Sequence, residues 1–493
     1  MVLNCNLNCQ YLWHTMEWIK LKPRDLFKPV DAYAINLFRI GFGLILLHNV
    51  YYYYQVDFVD TLILVPRVLF PFDFVSFLGI LPAPLMHCLL PLMAVGAIAI
   101  IFNKFTRWGA ALYLLCYGYL FLLERSYYNN HMYLFLLLLF FFIFYKPVKD
   151  PTTGRSYLPY WFQLILRFQL FLVYFIGGVV KLNSDWLVHE QPLRELLHRL
   201  VLSTPGTSSL LSGKFALDYL NYGGVIYDLG IGFLLWNKRT VWVAILFTLV
   251  FNLTNNFIFN YNLGGEIGSF PLFMVIANLL FLDGAGLRKM LSRLRISPGN
   301  TDRKKSRKDK PGGASVQSAG LPSWSYKAYM PWLLWIYMGL QLLLPFRHFL
   351  YSGYVDWTGK ASTFAWRMKS SSKRSNLVFK VKDVDGYQTY RVNPNLFINN
   401  VQVDYMSYSP DMMITFARFL EKESLEKYHF THVEVFAVDN VSLNGRMPQP
   451  LVDSTLNLLT LQHHIIAQDN WILPLAKEYR AAPVQQADQV QSR

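Results

Sequence analysis

Apolar residues fall in long unbroken runs over roughly the first two thirds of the chain and in short alternating stretches over the rest. At about 20 residues per bilayer crossing, spanning runs lie near residues 32–54, 84–103, 107–123, 131–146, 160–182, 222–238, 240–260, 266–283 and 328–347. Nine spans are an odd number, which puts the two ends of the chain on opposite sides of a membrane. Beyond the ninth, "LVFKVKDVDGYQTYRV" alternates around Asp385-Gly386 and predicts a hairpin. "SPDMMITFARFLEKESLEKY" has a helix start and helical spacing, and "HVEVFAVDNVSLNGR" returns to strand. The expected fold is a polytopic α-helical membrane bundle of about nine transmembrane helices, followed by a β-rich α+β extracytoplasmic domain. Its expected parts are the first eight spans (1–290), a disordered basic cytoplasmic linker (291–325), the ninth span (326–347), the outer domain (348–476) and a tail (477–493).

Composition agrees with the pattern. The chain is 53% hydrophobic and 17% aromatic, with a mean hydropathy of +0.25, which excludes an ordinary soluble protein. A net charge of +15 raises the question of nucleic acid. The basic residues, however, concentrate in every second gap, in "KLKPRDLFK", "NKFTR", "KPVKDPTTGR", "NKR" and the segment after the eighth run. That is the positive-inside pattern, so the N-terminus is expected to be cytoplasmic and the C-terminal domain extracytoplasmic, with no nucleic-acid partner. The linker "LSRLRISPGNTDRKKSRKDKPGGASVQSAG" is polar enough to stay unfolded, a solvated tether near anionic membrane lipids. Of four cysteines, Cys88 and Cys116 sit inside apolar runs, and Cys5 and Cys9 have only His14 nearby, so neither a disulfide framework nor a metal site is expected. The first span is expected to serve as the insertion signal, without a cleaved signal peptide.

Polar residues inside or at the ends of spans are where function is expected. Lys181 ends the fifth span in "YFIGGVVKLNSDW", His131 opens the fourth in "SYYNNHMYLF", and Asp228 lies within the sixth in "YGGVIYDLG". The seventh span ends in "NLTNNFIFNYNLGG", with Asn255, Asn256, Asn260 and Asn262. All of these face the same side under the expected topology. Singly, Lys181 reads as a snorkelling end residue, His131 as an interfacial hydrogen-bonder and Asp228 as a packing polar group. Gathered at one end of one bundle, they read as a site. A lysine in apolar surroundings loses its proton more easily, because desolvation penalises the charged form, and then serves as a base. Such a base suits a lipid-soluble acid such as a hydroquinone entering from the bilayer.

"LRFQLFLVYFIGGVVKLNSDWL" (166–187) resembles the signature of the vitamin K-dependent gamma-glutamyl carboxylases and the wider family with a horizontally transferred transmembrane (HTTM) domain. Further matching blocks run in order: "PVDAYAINLFRIGFGLILL" (29–47), "LFLLERSYYNNHMYL" (120–134), "YGGVIYDLGIGFLLW" (222–236), "LPFRHFLYSGYVDWTGKASTFAWRMK" (344–369) and "VDSTLNLLTLQHHIIAQDNWILPL" (452–475). The resemblance implies an enzyme that oxidises vitamin K hydroquinone with O2 to the epoxide, and uses the strong base so generated to remove a glutamate γ-proton before CO2 adds. It assigns quinol deprotonation to Lys181 and places His131, with Asn129 and Asn130, beside the quinone. Asn256 and Asp228 complete the expected quinone pocket. Trp357, Trp366, Met368 and Lys373 fall where the family approaches the glutamyl substrate.

Departures from the animal pattern accompany the likeness. Val180-Lys181 stands where animal enzymes have two lysines, the retained one at the catalytic position. The seventh-span motif lacks its histidine, and Ser371 and Lys373 replace a histidine and an arginine. The animal disulfide cysteines are not matched, and the further C-terminal region of animal enzymes is not expected. The implied partners are a glutamate-containing polypeptide, membrane lipids and quinone, and a quinone reductase that regenerates the quinol; no metal is implied. Two other readings stand beside it: a quinol epoxidase or oxygenase acting on another acceptor, and a non-enzymatic quinone- or lipid-binding membrane protein. The expected setting is a bacterial cytoplasmic membrane or the endoplasmic reticulum, where "NVS" at Asn440 would be a glycosylation acceptor.

Overall fold

The computed structural model describes residues 22–203, 213–261, 267–294, 323–462 and 469–481. Cys5, Cys9, His14, Asn262, most of the 291–325 segment and most of the tail lie outside them. The apolar runs form helices because a chain in hydrocarbon must satisfy its backbone internally. They are α1 (Tyr33–Gln55), α2 (Ala83–Ile101), α3 (Thr106–Leu123), α4 (Asn130–Phe142), α5 (Tyr160–Val179), α6 (Gly224–Trp236), α7 (Val241–Asn255), α8 (Phe270–Ala277), α9 (Gly284–Arg293) and α10 (Tyr329–Leu343).

Every predicted span is helical, but fewer of the helices are long and apolar enough to cross a membrane alone. Five described helices are long and apolar enough, or six if the bent pair 270–281 and 284–293 is one span. That pair turns by 104°, where a Cβ on Gly284 would lie 2.6 Å from the Asp31 carbonyl oxygen. The predicted run 131–146 shortens to the 13 residues of α4, whereas α6 continues helical turns that begin at Lys214. In α3 the polar first turn Thr106-Arg107 and several tyrosines dilute the hydropathy. A three-stranded sheet of residues 29–31, 156–159 and 148–149, in that order, was not foreseen; two of its strands lead into α1 and α5.

Glycines let neighbouring helices approach closely. A Cβ on Gly96 of α2 would lie 2.7 Å from the Gly109 carbonyl oxygen of α3, and one on Gly178 of α5 would lie 2.9 Å from the Leu229 nitrogen of α6.

The C-terminal region folds as expected in outline. Strands β1 (Lys373–Asp383), β2 (Gln388–Val392), β3 (Val433–Leu443) and β4 (Gln449–Pro450) form an antiparallel sheet in the order β2-β1-β3-β4. The predicted hairpin joins β1 to β2, with Tyr387 in the left-handed region. Alternate residues of β3 are buried, among them Val435, Ala437, Val441 and Leu443. They share a core with Met412, Met413, Phe416 and Leu420 of α12 (Asp411–Lys427), which follows the short α11 (Asn400–Met406).

The two regions exchange anchors. Phe70, from the connection between α1 and α2, joins the C-terminal core, whereas Trp366 joins the bundle core, stacked on Tyr133 with ring centroids 4.9 Å apart.

Candidate functional site

Between the bundle and the C-terminal domain lies a cavity of about 420 Å³. Lys181, two residues past the end of α5, reaches across to Asp228 of α6 and forms an ion pair. The side chains are 12% and 7% exposed. The desolvated amine expected from the sequence is therefore one half of a buried pair, balanced by a carboxylate on the neighbouring helix. Its Nζ also lies 5.1 Å from the Trp186 ring centroid, within cation–π range.

The residues after Lys181 secure this arrangement. Asn183 caps a short helix by accepting from the Trp186 nitrogen at 3.0 Å, and Trp186 and Asn221 bond each other reciprocally, at 3.2 and 3.0 Å. Asp185 turns the other way and accepts from Arg446 (2.7 Å) and Asn444 (2.6 Å) of the C-terminal domain. In "NSDW" the Asp thus docks the domain and the Trp packs on the bundle.

His131, in the first turn of α4, lines the same cavity and stacks on Phe270 at 6.0 Å. Asn129 lines it too. Asn130 is committed on both sides of its amide: Oδ1 accepts from the Tyr128 hydroxyl and Nδ2 donates to the Arg367 carbonyl, each at 3.1 Å. Asn252 and Asn255 of α7 line the cavity; Asn256 is not among its lining residues. The side chains of Asn260 and Asn262 lie outside the described residues.

From the C-terminal domain, Met368 reaches α5, where a Cβ on Gly177 would lie 3.1 Å from its Cε. Beside it, Arg367 holds Asp356 through two parallel bonds, at 3.0 and 2.7 Å, with both side chains buried. Both residues line the cavity, as do Tyr405 and Tyr408; sequence reasoning singled out none of these four. The stretch carrying them contains Ala361, Phe364, Trp366 and Lys369 at positive φ. Such backbone persists only where its surroundings over-determine it. Here the Tyr128 hydroxyl accepts from the Phe364 nitrogen at 2.7 Å, and the Arg347 guanidinium donates to the Thr363 carbonyl.

Three expected substrate residues stand behind the wall. Trp357 lies in the C-terminal core and donates its indole N–H to the Leu473 carbonyl at 2.7 Å. Trp366 is fully buried in the bundle core. Lys373 donates to the backbone carbonyls of Trp357, at 2.7 Å, and Ser407. Burial pulls its ammonium down to about 7, against the opposing influence of Asp356 and then Asp439. Burial likewise pushes the Tyr408 phenol up to about 12. No group of three or more metal-ligating side chains occurs among the described residues.

A bundle closed by a docked α+β domain, with an ion pair buried at their junction, defines a membrane protein with a chamber shared by two domains. Residues 27–285, more than half of the chain, match the model of the HTTM domain. Residues 326–478 match that of the vitamin K-dependent gamma-carboxylase lumenal domain. The chain belongs to the vitamin K-dependent gamma-glutamyl carboxylase family. No solved structure matches it.

Proposed function

We propose that this protein couples oxidation of vitamin K hydroquinone by O2 to carboxylation of glutamyl residues. In balance, quinol, O2, CO2 and a glutamyl residue give quinone epoxide, gamma-carboxyglutamate and water: one oxygen atom enters the epoxide and the other leaves as water. The observation that carries the reading is the Lys181–Asp228 pair within a cavity lined by both family-matched domains.

A glutamate γ-carbon is too weak an acid for any side chain to deprotonate at neutral pH, so the base must come from quinol oxidation. Lys181 takes the first quinol proton, and Asp228 orients its amine and balances the ammonium. His131 and Asn129, with Asn252 and Asn255, border the quinone ring. Met368 and the Arg367–Asp356 pair face the glutamyl side. Trp357, Trp366 and Lys373 support that wall from behind. Exclusion of water protects the reactive species and the carbanion from quenching. In this reading the N-terminus is cytoplasmic, the C-terminal domain is extracytoplasmic, and a membrane quinone reductase returns the quinol.

The burial of Lys373 away from the cavity favours a second reading, quinol oxygenation with a different acceptor. The test is to incubate purified protein with reduced vitamin K, O2, labelled bicarbonate and a glutamate-containing peptide. Epoxide with label fixation, both lost in Lys181→Ala, supports carboxylation. Epoxide alone selects the second reading, and neither product overturns both.

A further inference from the structure

The connection between α3 and α4 does more than join two helices. Five side chains from Glu124 to Asn130 bond the C-terminal domain: Glu124 accepts from Gln402 (2.8 Å), Arg125 pairs with Asp411, Tyr127 accepts from Asn399 (2.7 Å) and Tyr128 from the Phe364 nitrogen (2.7 Å), while Asn130 donates to the Arg367 carbonyl (3.1 Å). The next residue is His131, which faces the cavity.

Gln402 is the most enclosed of these contacts. It is fully buried, and Glu124 is 1% exposed. Its amide donates to Glu124 and to the Val68 carbonyl at 3.0 Å, while its oxygen accepts from the Asn399 nitrogen at 3.1 Å. Glu124 is completed by the Phe70 and Ser126 nitrogens at 3.0 and 2.9 Å. A buried network with every member satisfied specifies one arrangement, and a partly satisfied one is costly. Gln402 lies in α11, which ends by presenting Tyr405; one turn on, the Tyr408 nitrogen donates to the Tyr405 carbonyl at 2.9 Å. Both tyrosines line the cavity, whereas Gln402 and Glu124 do not.

We propose that Gln402, through its buried bond to Glu124, is a positioning residue that seats the Tyr405–Tyr408 wall over the Lys181 chamber and thereby couples quinol oxidation to acceptor carboxylation. The inference rests on the carboxylase reading above. Lys181 and Asp228 belong to the bundle, and the wall that would confine the acceptor belongs to the other domain. Loosening their junction lets oxidation proceed at the bundle while the base it generates is lost to water.

The test uses the full chain in detergent with vitamin K hydroquinone, O2, labelled bicarbonate and a glutamate peptide, comparing wild type with Gln402→Glu and Gln402→Met. Gln402→Glu sets a second carboxylate against Glu124, and Gln402→Met removes the bond at similar size. Since hydrogen bonds to charged groups are the stronger kind, label fixed per epoxide should fall about tenfold in Gln402→Glu and less in Gln402→Met, with peptide KM raised and epoxide formation retained. Hydrogen exchange should quicken over 400–408 and stay unchanged over 160–179. An unaltered ratio, or parallel loss of both products, overturns the proposal. If wild type forms no epoxide, the carboxylase reading fails and the coupling role with it; faster exchange in the variants would then leave Gln402 a docking residue alone.

Discussion

Breaking the Lys181–Asp228 pair separates what it does for the fold from what it does for chemistry. Both side chains are nearly buried, at 12% and 7% exposed, so removing either leaves the other charge uncompensated in a water-poor site. Such a cut costs about 3–5 kcal/mol, whereas replacing both partners with apolar residues of similar volume is about neutral. Lys181→Met and Asp228→Leu should each lower the melting temperature in detergent by several degrees, and the double variant should recover most of that loss. Epoxide formation should be abolished in Lys181→Met and in the double variant alike, because no packing gain replaces a proton acceptor. Two results would refute this reasoning: single variants that melt with the wild type, or a double variant that still forms epoxide.

Further expectations follow from individual contacts. Trp366→Ala removes a fully buried indole stacked on Tyr133 and should cost about 3–5 kcal/mol in a denaturation experiment; loss of activity at unchanged stability would instead mark it as a substrate contact. Gly178→Ala sets a methyl 2.8 Å from Leu229 Cγ and 2.9 Å from its backbone nitrogen, costing about 1–3 kcal/mol. It should shift α6 beside Asp228 and slow epoxide formation, whereas Gly230→Ala, with nothing within 4 Å, should match wild type in the same assay. Lys373, pulled down to about 7 by burial, is protonated in both folded and unfolded chains below that pH, and the fold then bears the full cost of the buried charge. Above it the folded chain releases the proton and the unfolded chain keeps it until near its own pKa, so stability should rise with pH, by up to about 1.4 kcal/mol per unit. Melting curves between pH 7 and 9 should show this rise, and Lys373→Met should flatten it.

The local pattern was legible wherever one residue's neighbours in sequence decide its environment. Runs of apolar residues mark helices in any membrane setting, and alternation marks β1 and β3, since burial on one face of a sheet has period two; β2, exposed along nearly its whole length, is marked instead by the turn at Asp385-Gly386. Lys181, Asp228 and His131 stood out because an ionisable group in an apolar run is costly without a purpose. The number of crossings was less legible: hydropathy does not report the bend at Gly284, which depends on contact with Asp31, or how short α4 becomes.

What the amino-acid sequence determined by itself was the class of protein, the helices and strands, and the polar groups worth suspecting. Only the tertiary structure decided partnerships. Asp228 lies 47 residues from Lys181 on another helix, and periodicity states that each is buried, not against what. Trp366 and Trp357 look alike in sequence, two aromatic residues of one block, yet packing sends one into the bundle and the other into the sheet domain. Asn130 spends one end of its amide on the neighbouring Tyr128 hydroxyl and the other on the Arg367 carbonyl of the C-terminal domain. Those outcomes arise from close packing and the requirement that buried polar groups find partners. Both are conditions on the whole folded chain, and no short stretch of it can state them.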